Sequence, residues 1–133
     1  MQRAGSVPGV TMERAEFERL VADALDAIPD EFGAYLQNVA VVIEDEPSPA
    51  VLRQLGLDPR RDTLFGLYQG VPLAARPHDF TGHLPDRITI FAGPLLRHFR
   101  TPGELRRQVC STVIHEIAHF FGLDDAHIRR LGY

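Results

Sequence analysis

The chain lacks several features that would define a protein class at once, and each absence narrows the field. It has a single cysteine, Cys110, so no disulfide can form within it and a reducing compartment suits it. It has no tryptophan and no lysine, and all fourteen of its basic residues are arginine. These are scattered along the chain and outnumbered by eighteen acidic residues, for a formal net charge of −4. That balance excludes the basic stripe of a nucleic-acid binder. No run approaches the roughly 20 apolar residues that cross a bilayer. Met1 to Thr11 carries one arginine and no apolar core of signal-peptide length. The expectation is a cytoplasmic protein with neither a nucleic-acid nor a membrane partner.

What is present is ordinary globular material: 133 residues, 44% apolar and 24% charged, enough for one core. Residues 1–11, with Gly5, Ser6, Pro8 and Gly9, show no periodicity and read as a flexible tail. Residues 12–133 read as a single domain. Thr11 is placed to cap a first helix, whose Phe17, Leu20, Val21, Ala24, Leu25 and Ile28 follow helical spacing until Pro29. Val39 to Ile43 is an uninterrupted apolar run, which suits a strand buried on both faces. A short helix over 50–56 ends at Gly56, and Leu64 to Tyr68 reads as a second strand. Ala74 to Asp86 is a loop carrying His78 and His83. Arg87 to Phe91 alternates polar and apolar, as a strand with one wet face does, and Gly93-Pro94 ends it. Thr101-Pro102-Gly103-Glu104 is a capping box with proline at the first helical position, and Gly122 supplies the stop. The helix between them has an apolar row of Leu105, Val109, Val113 and Ile117, flanked by Cys110, Ile114 and Phe121. Cys110 is therefore a core residue, not a ligand.

The chemistry sits inside that helix, at His115-Glu116-Ile117-Ala118-His119. Residues four apart lie one turn above each other, so His115 and His119 can share one metal ion while Glu116 addresses a water beside it. A catalytic zinc site takes three protein ligands and leaves one position open. Gly122 breaks the helix and lets the chain reverse, which offers Asp125 as the third ligand; Asp124 and His127 are its rivals. Alternatively Asp125 caps the short helical segment from Ala126 to Leu131. His78, His83 and His98 are isolated and read as solvated side chains. With its glycine and late carboxylate, the full string is expected by chance on the order of once in ten thousand such chains.

The string from His115 to Asp125 resembles the long metal motif of metzincin peptidases, with aspartate in the third-ligand place. More of the chain is similar to the minimal zincin-like metallopeptidases of bacteria. The similar stretches are Val41 to Pro47, Gly66 to Leu73, Leu84 to Phe91 and Val113 to Gly122, within about residues 12–133. The resemblance implies a zincin-like α+β fold with a backing helix, a small mixed β-sheet and a C-terminal active-site helix. It implies a Zn2+-dependent metallopeptidase acting on peptides or unfolded protein, with Glu116 as general base. In zincins an extended peptide pairs antiparallel with an edge strand. Arg87 to Phe91 is the expected edge, with Tyr68, Arg87 and Thr89 as substrate-binding residues and Tyr68, Arg87 or Tyr133 as oxyanion donor. Metzincins carry a methionine-containing turn under the metal, whereas the only methionines here are Met1 and Met12. A cleft reduced on its floor and primed side is therefore expected. A non-enzymatic module, which recognises peptides or is stabilised by its zinc, is the alternative; hydrolysis of a non-peptide amide is a third reading.

Overall fold

The computed structural model describes Gly9, residues 11–70 and residues 86–133. Helix α1 (Arg14–Asp26) buries Phe17, Leu20, Val21 and Ala24, the face that the apolar spacing marks out. Its N-cap is Glu13, without a side-chain cap, so Thr11 does not start it. After Pro29 the chain makes a short helix α2 (Asp30–Gly33) and a 3-10 turn over Ala34–Leu36. Strand β1 (Val39–Glu44) leads to α3 (Pro49–Gln54), which Ser48 caps by accepting from the Val51 N–H at 3.1 Å. Strand β2 (Gly66–Gln69) begins two residues later than its apolar run. Strand β3 (Asp86–Phe91) passes directly into helix α4 (Ala92–His98). Gly93-Pro94 does end the strand but starts a helix, because proline in a first turn forfeits no hydrogen bond. Helix α5 (Pro102–Phe121) and helix α6 (Asp125–Arg130) complete the chain. The expected tail over 1–11, apart from Gly9 and Thr11, lies outside the described residues, as do His78 and His83.

The sheet is mixed and small, with order β1-β3-β2; β1 runs parallel to β3, and β2 antiparallel to it. This order corrects two expectations. The strand over Arg87–Phe91 is central, not an edge, and Ile88 to Phe91 are all buried. Conversely, among the described residues β1 lies at an edge; Val39 to Ile43 are only half-buried and Glu44 is exposed. Thr89 made β3 look half wet, yet it is 2% exposed. Its neighbours on either side, Ile88 and Ile90, join Tyr68 in the core, so pleat alternation turns Thr89 to the other face of the sheet.

The core forms where α1 and α5 lie against the face of the sheet that carries Ile88 and Ile90. Leu105, Val109, Cys110, Val113, Ile114 and Ile117 are all buried, and the Cys110 thiol donates to the Ala24 carbonyl at 3.0 Å. Phe121 departs from the expected row and is 43% exposed. Two ion pairs fasten the acidic end of β1: Arg14 Nη1 to Asp45 Oδ1 at 2.7 Å, and Arg97 to both oxygens of Glu46 at 2.6 and 3.0 Å.

Strand β2 and helix α5 run in the same direction, side by side. Gly66 lies at Thr112, Tyr68 at Glu116 and Gly70 at Phe120. A Cβ on Gly66 would stand 2.7 Å from Thr112 Cγ2 and 3.1 Å from the Thr89 carbonyl oxygen, closer than packed atoms tolerate. Gly66→Ala is expected to cost about 1–3 kcal/mol in urea denaturation. Adding Thr112→Ser, which removes the clashing methyl, is expected to restore part of that loss.

A second expectation concerns pH. The hydrogen bond from Arg97, helped by its charge and opposed by slight burial, holds Glu46 below the usual carboxylate range. Its contribution is present above the unfolded value of about 4.3. It is lost as pH falls through the lower folded value. Both side chains are about half exposed, so the contribution is below about 1 kcal/mol. The stability gap between the wild type and Glu46→Gln is expected to be full above roughly pH 5 and to close on acidification.

Candidate metal centre

Helix α5 starts where its capping box specifies. Thr101 Oγ1 accepts from the Glu104 N–H at 3.1 Å, and Glu104 Oε2 reaches back to the Arg100 N–H at 3.3 Å. Gly122, at φ +69°, takes the left-handed conformation that ends it. Between these ends the polar residues Gln108, Ser111, Thr112, His115, Glu116 and His119 form one stripe along a helix that is otherwise apolar or solvated. The spacing is helical, so the whole stripe was open to view in the sequence beyond the two histidines.

His115 and His119 present their rings 6.4 Å apart between centroids, tilted by 52°. Two imidazoles on one ion, with metal–nitrogen bonds of about 2.0–2.1 Å, have centroids roughly 5 Å apart. The two rings stand wider than that on one face of α5, and as a donor set two imidazoles one turn apart fit zinc chemistry. Among the described residues no group of three histidine, cysteine or acidic side chains is gathered for a metal. Asp125 opens α6 and is not brought to the two histidines. The capping role falls to Asp124, whose Oδ1 accepts from the Ala126 N–H at 2.9 Å. The rival His127 is turned to Glu31, with Nε2 to Oε2 2.7 Å. His98 sets its Nδ1 at 2.8 Å from the Pro94 carbonyl and its ring edge-on to Phe65.

Glu116 is held by the sheet. Its Oε1 accepts from the Tyr68 N–H at 2.8 Å, while Oε2 faces His119 Nδ1 at 4.0 Å. The side chain keeps 20% exposure against 68% for His119, so the carboxylate lies inside and the second imidazole at the rim. Burial raises the Glu116 pKa above its ordinary value; the Tyr68 N–H and the neighbouring histidines work against that rise.

The register explains why the Tyr68 N–H is available. Phe91 N–H donates to the Phe65 carbonyl at 2.9 Å, which makes 65 and 91 a hydrogen-bonded antiparallel pair. The pairs 67/89 and 69/87 follow suit, and Gly66 and Tyr68 turn their N–H and C=O groups away from β3. Among the described residues β2 ends the sheet, so these groups face the helix. A groove of about 270 Å³ lies there, with Thr63 to Gly66 on one side and Ser111, Thr112, His115 and Glu116 on the other.

The substrate-binding expectations fare differently. Tyr68 is in place but occupied: its hydroxyl donates to Asp86 Oδ2 at 2.8 Å, and its ring stacks on Phe120 at 4.1 Å. Burial, and then the bond to Asp86, push its pKa well above the phenol range, so it is a neutral donor. Arg87 reaches Gln69 Oε1 at 2.9 Å. Thr89 faces the opposite side of the sheet from the groove. Tyr133 packs by Arg107, whose Cζ lies 5.8 Å from its ring centre. Residue 107 is nine positions from Glu116 on α5, about 13 Å along the axis, which removes Tyr133 as an oxyanion donor. Sequence reading missed the exposed aromatic cluster of Tyr35, Phe120 and Phe121 beside His119, with ring centroids 4.8 and 5.1 Å apart.

No helix among the described residues is long and apolar enough to cross a membrane. No curated protein matches the chain. A solved structure, a conserved hypothetical protein from Thermus thermophilus, is similar at 23% identity and a TM-score of 0.52, over 83% of this chain and 94% of that one. At that identity the likeness concerns the fold. Residues 36–133 match the family described as zincin-like metallopeptidase. That match spans every strand of the sheet and the whole of α5, and the chain belongs to the zincin-like metallopeptidase family.

Proposed function

We propose that the protein is a zinc-dependent metallopeptidase whose general base is Glu116. The observation that carries this reading is the position of that carboxylate. It stands between two imidazoles one helical turn apart, and the Tyr68 N–H fixes it at the junction of helix and sheet edge. A purely structural zinc site is closed by four protein ligands and has no use for such a carboxylate.

His115 and His119 are the first two ligands, and Asp125 is the third. For Asp125 to serve, the turn from Gly122 to Asp124 must give up the cap on α6, at a cost of about 1 kcal/mol. Zinc, when bound, supplies a Lewis acid that activates water and polarises a carbonyl. The chain's own residues do the rest. Glu116 Oε2 takes the proton from the attacking water and returns it to the leaving amine. Oε1 stays bonded to the Tyr68 N–H, so the proton-accepting oxygen keeps its aim. The substrate is an extended segment of a peptide or unfolded protein, lying in the groove antiparallel to β2. Its backbone pairs with the Gly66 groups and the Tyr68 carbonyl, which turn away from β3. This edge replaces Arg87–Phe91, which is enclosed by its neighbours. The reducing, cytoplasmic setting expected of a single-cysteine chain is consistent with a Cys110 thiol committed to the core.

Metal analysis and activity separate the parts of this reading. His115→Ala is expected to abolish stoichiometric zinc binding, measured by calorimetry and elemental analysis. Asp125→Ala is expected to weaken zinc by more than the 10–100-fold typical of an outer-shell partner, while Asp124→Ala has a smaller effect. The reverse order would assign the third ligand to Asp124. Glu116→Gln is expected to retain zinc and lose turnover of a quenched peptide library by at least about 100-fold. Zinc-loaded wild type that turns over no peptide would mark a non-enzymatic zinc module instead.

A further inference from the structure

The groove at Glu116 does not stop at Thr112. Towards the N-terminal end of α5 lies a second cavity, about 350 Å³, bounded by Phe99, Glu104, Arg107 and Tyr133. The two share Gln108 and Ser111 as walls. They also share an aromatic side: Phe65 of the groove meets Phe99 of the cavity with ring centroids 5.5 Å apart. A chain leaving the groove in this direction passes along these shared walls to the cavity.

Two charged residues line the cavity, and both are held. Arg107 donates from Nη2 to the Gly132 carbonyl at 2.7 Å and lies over the Tyr133 ring. Glu104 is engaged with the Arg100 N–H at 3.3 Å. Their charges are opposite and one helical turn apart, so neither sign prevails. The recognition surface that remains is the pair of rings, Phe99 and Tyr133.

Distance and direction give the register. From Glu116 to the cavity's residues on α5, 104 to 111, is five to twelve positions, centred near 13 Å at about 1.5 Å per residue. An extended peptide covers about 3.3 Å per residue, so the cavity stands about four residues from the carbonyl that Glu116 serves. Because β2 runs with α5, a peptide antiparallel to β2 travels from Phe120 towards Thr112 and on to Gln108. The cavity is therefore reached on the C-terminal side of the cleaved bond.

We infer that this cavity is a subsite for a large apolar side chain, aromatic or long aliphatic, at the third or fourth residue after the scissile bond. The inference rests on the peptidase reading for its orientation. It gives the primed side a place to hold substrate, made by the start of α5 and by Tyr133.

The test uses zinc-loaded Glu116→Gln, so that binding is read without turnover. Two fluorescein-labelled, end-capped octapeptides of alternating alanine and serine are titrated by fluorescence anisotropy, one carrying a single phenylalanine. The phenylalanine peptide is expected to bind about tenfold tighter, equivalent to about 1.4 kcal/mol. In the background of Glu116→Gln, Tyr133→Ala is expected to remove that advantage. Ser111→Trp, which fills the junction and leaves the terminal packing alone, is expected to remove it too, with circular dichroism verifying the fold of both. Equal affinity of the two peptides overturns the proposal, as does an advantage that survives both variants and so belongs to the aromatic cluster at Phe120. Binding that instead requires a free C-terminal carboxylate, and falls with Arg107→Gln, also overturns it. Turnover by the zinc-loaded wild type is measured separately. A phenylalanine preference without turnover refutes the catalytic reading and leaves the cavity standing, and turnover without the preference does the reverse.

Discussion

The structure turns on the close approach of one short edge strand to one helix. Strand β2 meets α5 at Gly66, where a side chain would collide with Thr112. Two residues on, its Tyr68 N–H bonds the Glu116 carboxylate at 2.8 Å. The first contact lets the two backbones close together, and the second uses that closeness to hold the Glu116 carboxylate. An unpaired N–H at a sheet edge is an exposed donor in need of a partner. Here the partner is the carboxylate between the two histidines, so a requirement of sheet architecture and the placing of Glu116 are met by one bond.

The site is graded from inside to outside along α5. Glu116 is largely enclosed, His115 is intermediate and His119 stands open at the rim beside Phe120 and Phe121. Burial makes the carboxylate costlier to ionise, while the Tyr68 N–H and the imidazoles lower that cost. The balance matters because a metal between the histidines would add positive charge on the same side. The aromatic residues at the rim shield one flank of the pair. On the other flank the polar stripe of Thr112, Ser111 and Gln108 continues into the groove, where Gln108 Nε2 donates to Thr112 Oγ1 at 3.0 Å. One helix thus carries both histidines, Glu116 and a wall of the groove, and its buried apolar row anchors all of them to the core.

How much of this was legible in the sequence depends on whether the relevant physics is local. The capping box, the apolar row and the Gly122 stop act within one helix, so the placement of His115, Glu116 and His119 followed from spacing alone. The opening of α6 was nearly so, but its cap is Asp124 and not Asp125, which the sequence offers first as a ligand and only alternatively as that cap, since capping turns on a single residue of register. Strand order was not legible. Arg87-Ile88-Thr89-Ile90-Phe91 alternates like an edge strand, yet it became the centre of the sheet because β1 and β2 pair on either side of it. A threonine reads as wet in a pattern and can still be enclosed when neighbours arrive from elsewhere in the chain.

By itself, then, the sequence determined the α+β class, the bounds of helix α5 and the placing of two imidazoles one turn apart on it. Helical periodicity and end-capping are short-range and need no partner. Only the tertiary structure decided which strand faces that helix, which backbone N–H holds Glu116, and how Phe65 comes to line the groove, and Phe99 and Tyr133 the cavity, beside α5. Such contacts join distant parts of the chain; Tyr68 and Glu116 are 48 positions apart. Nothing in the local pattern of either partner encodes such pairing, which arises when the core brings the elements together.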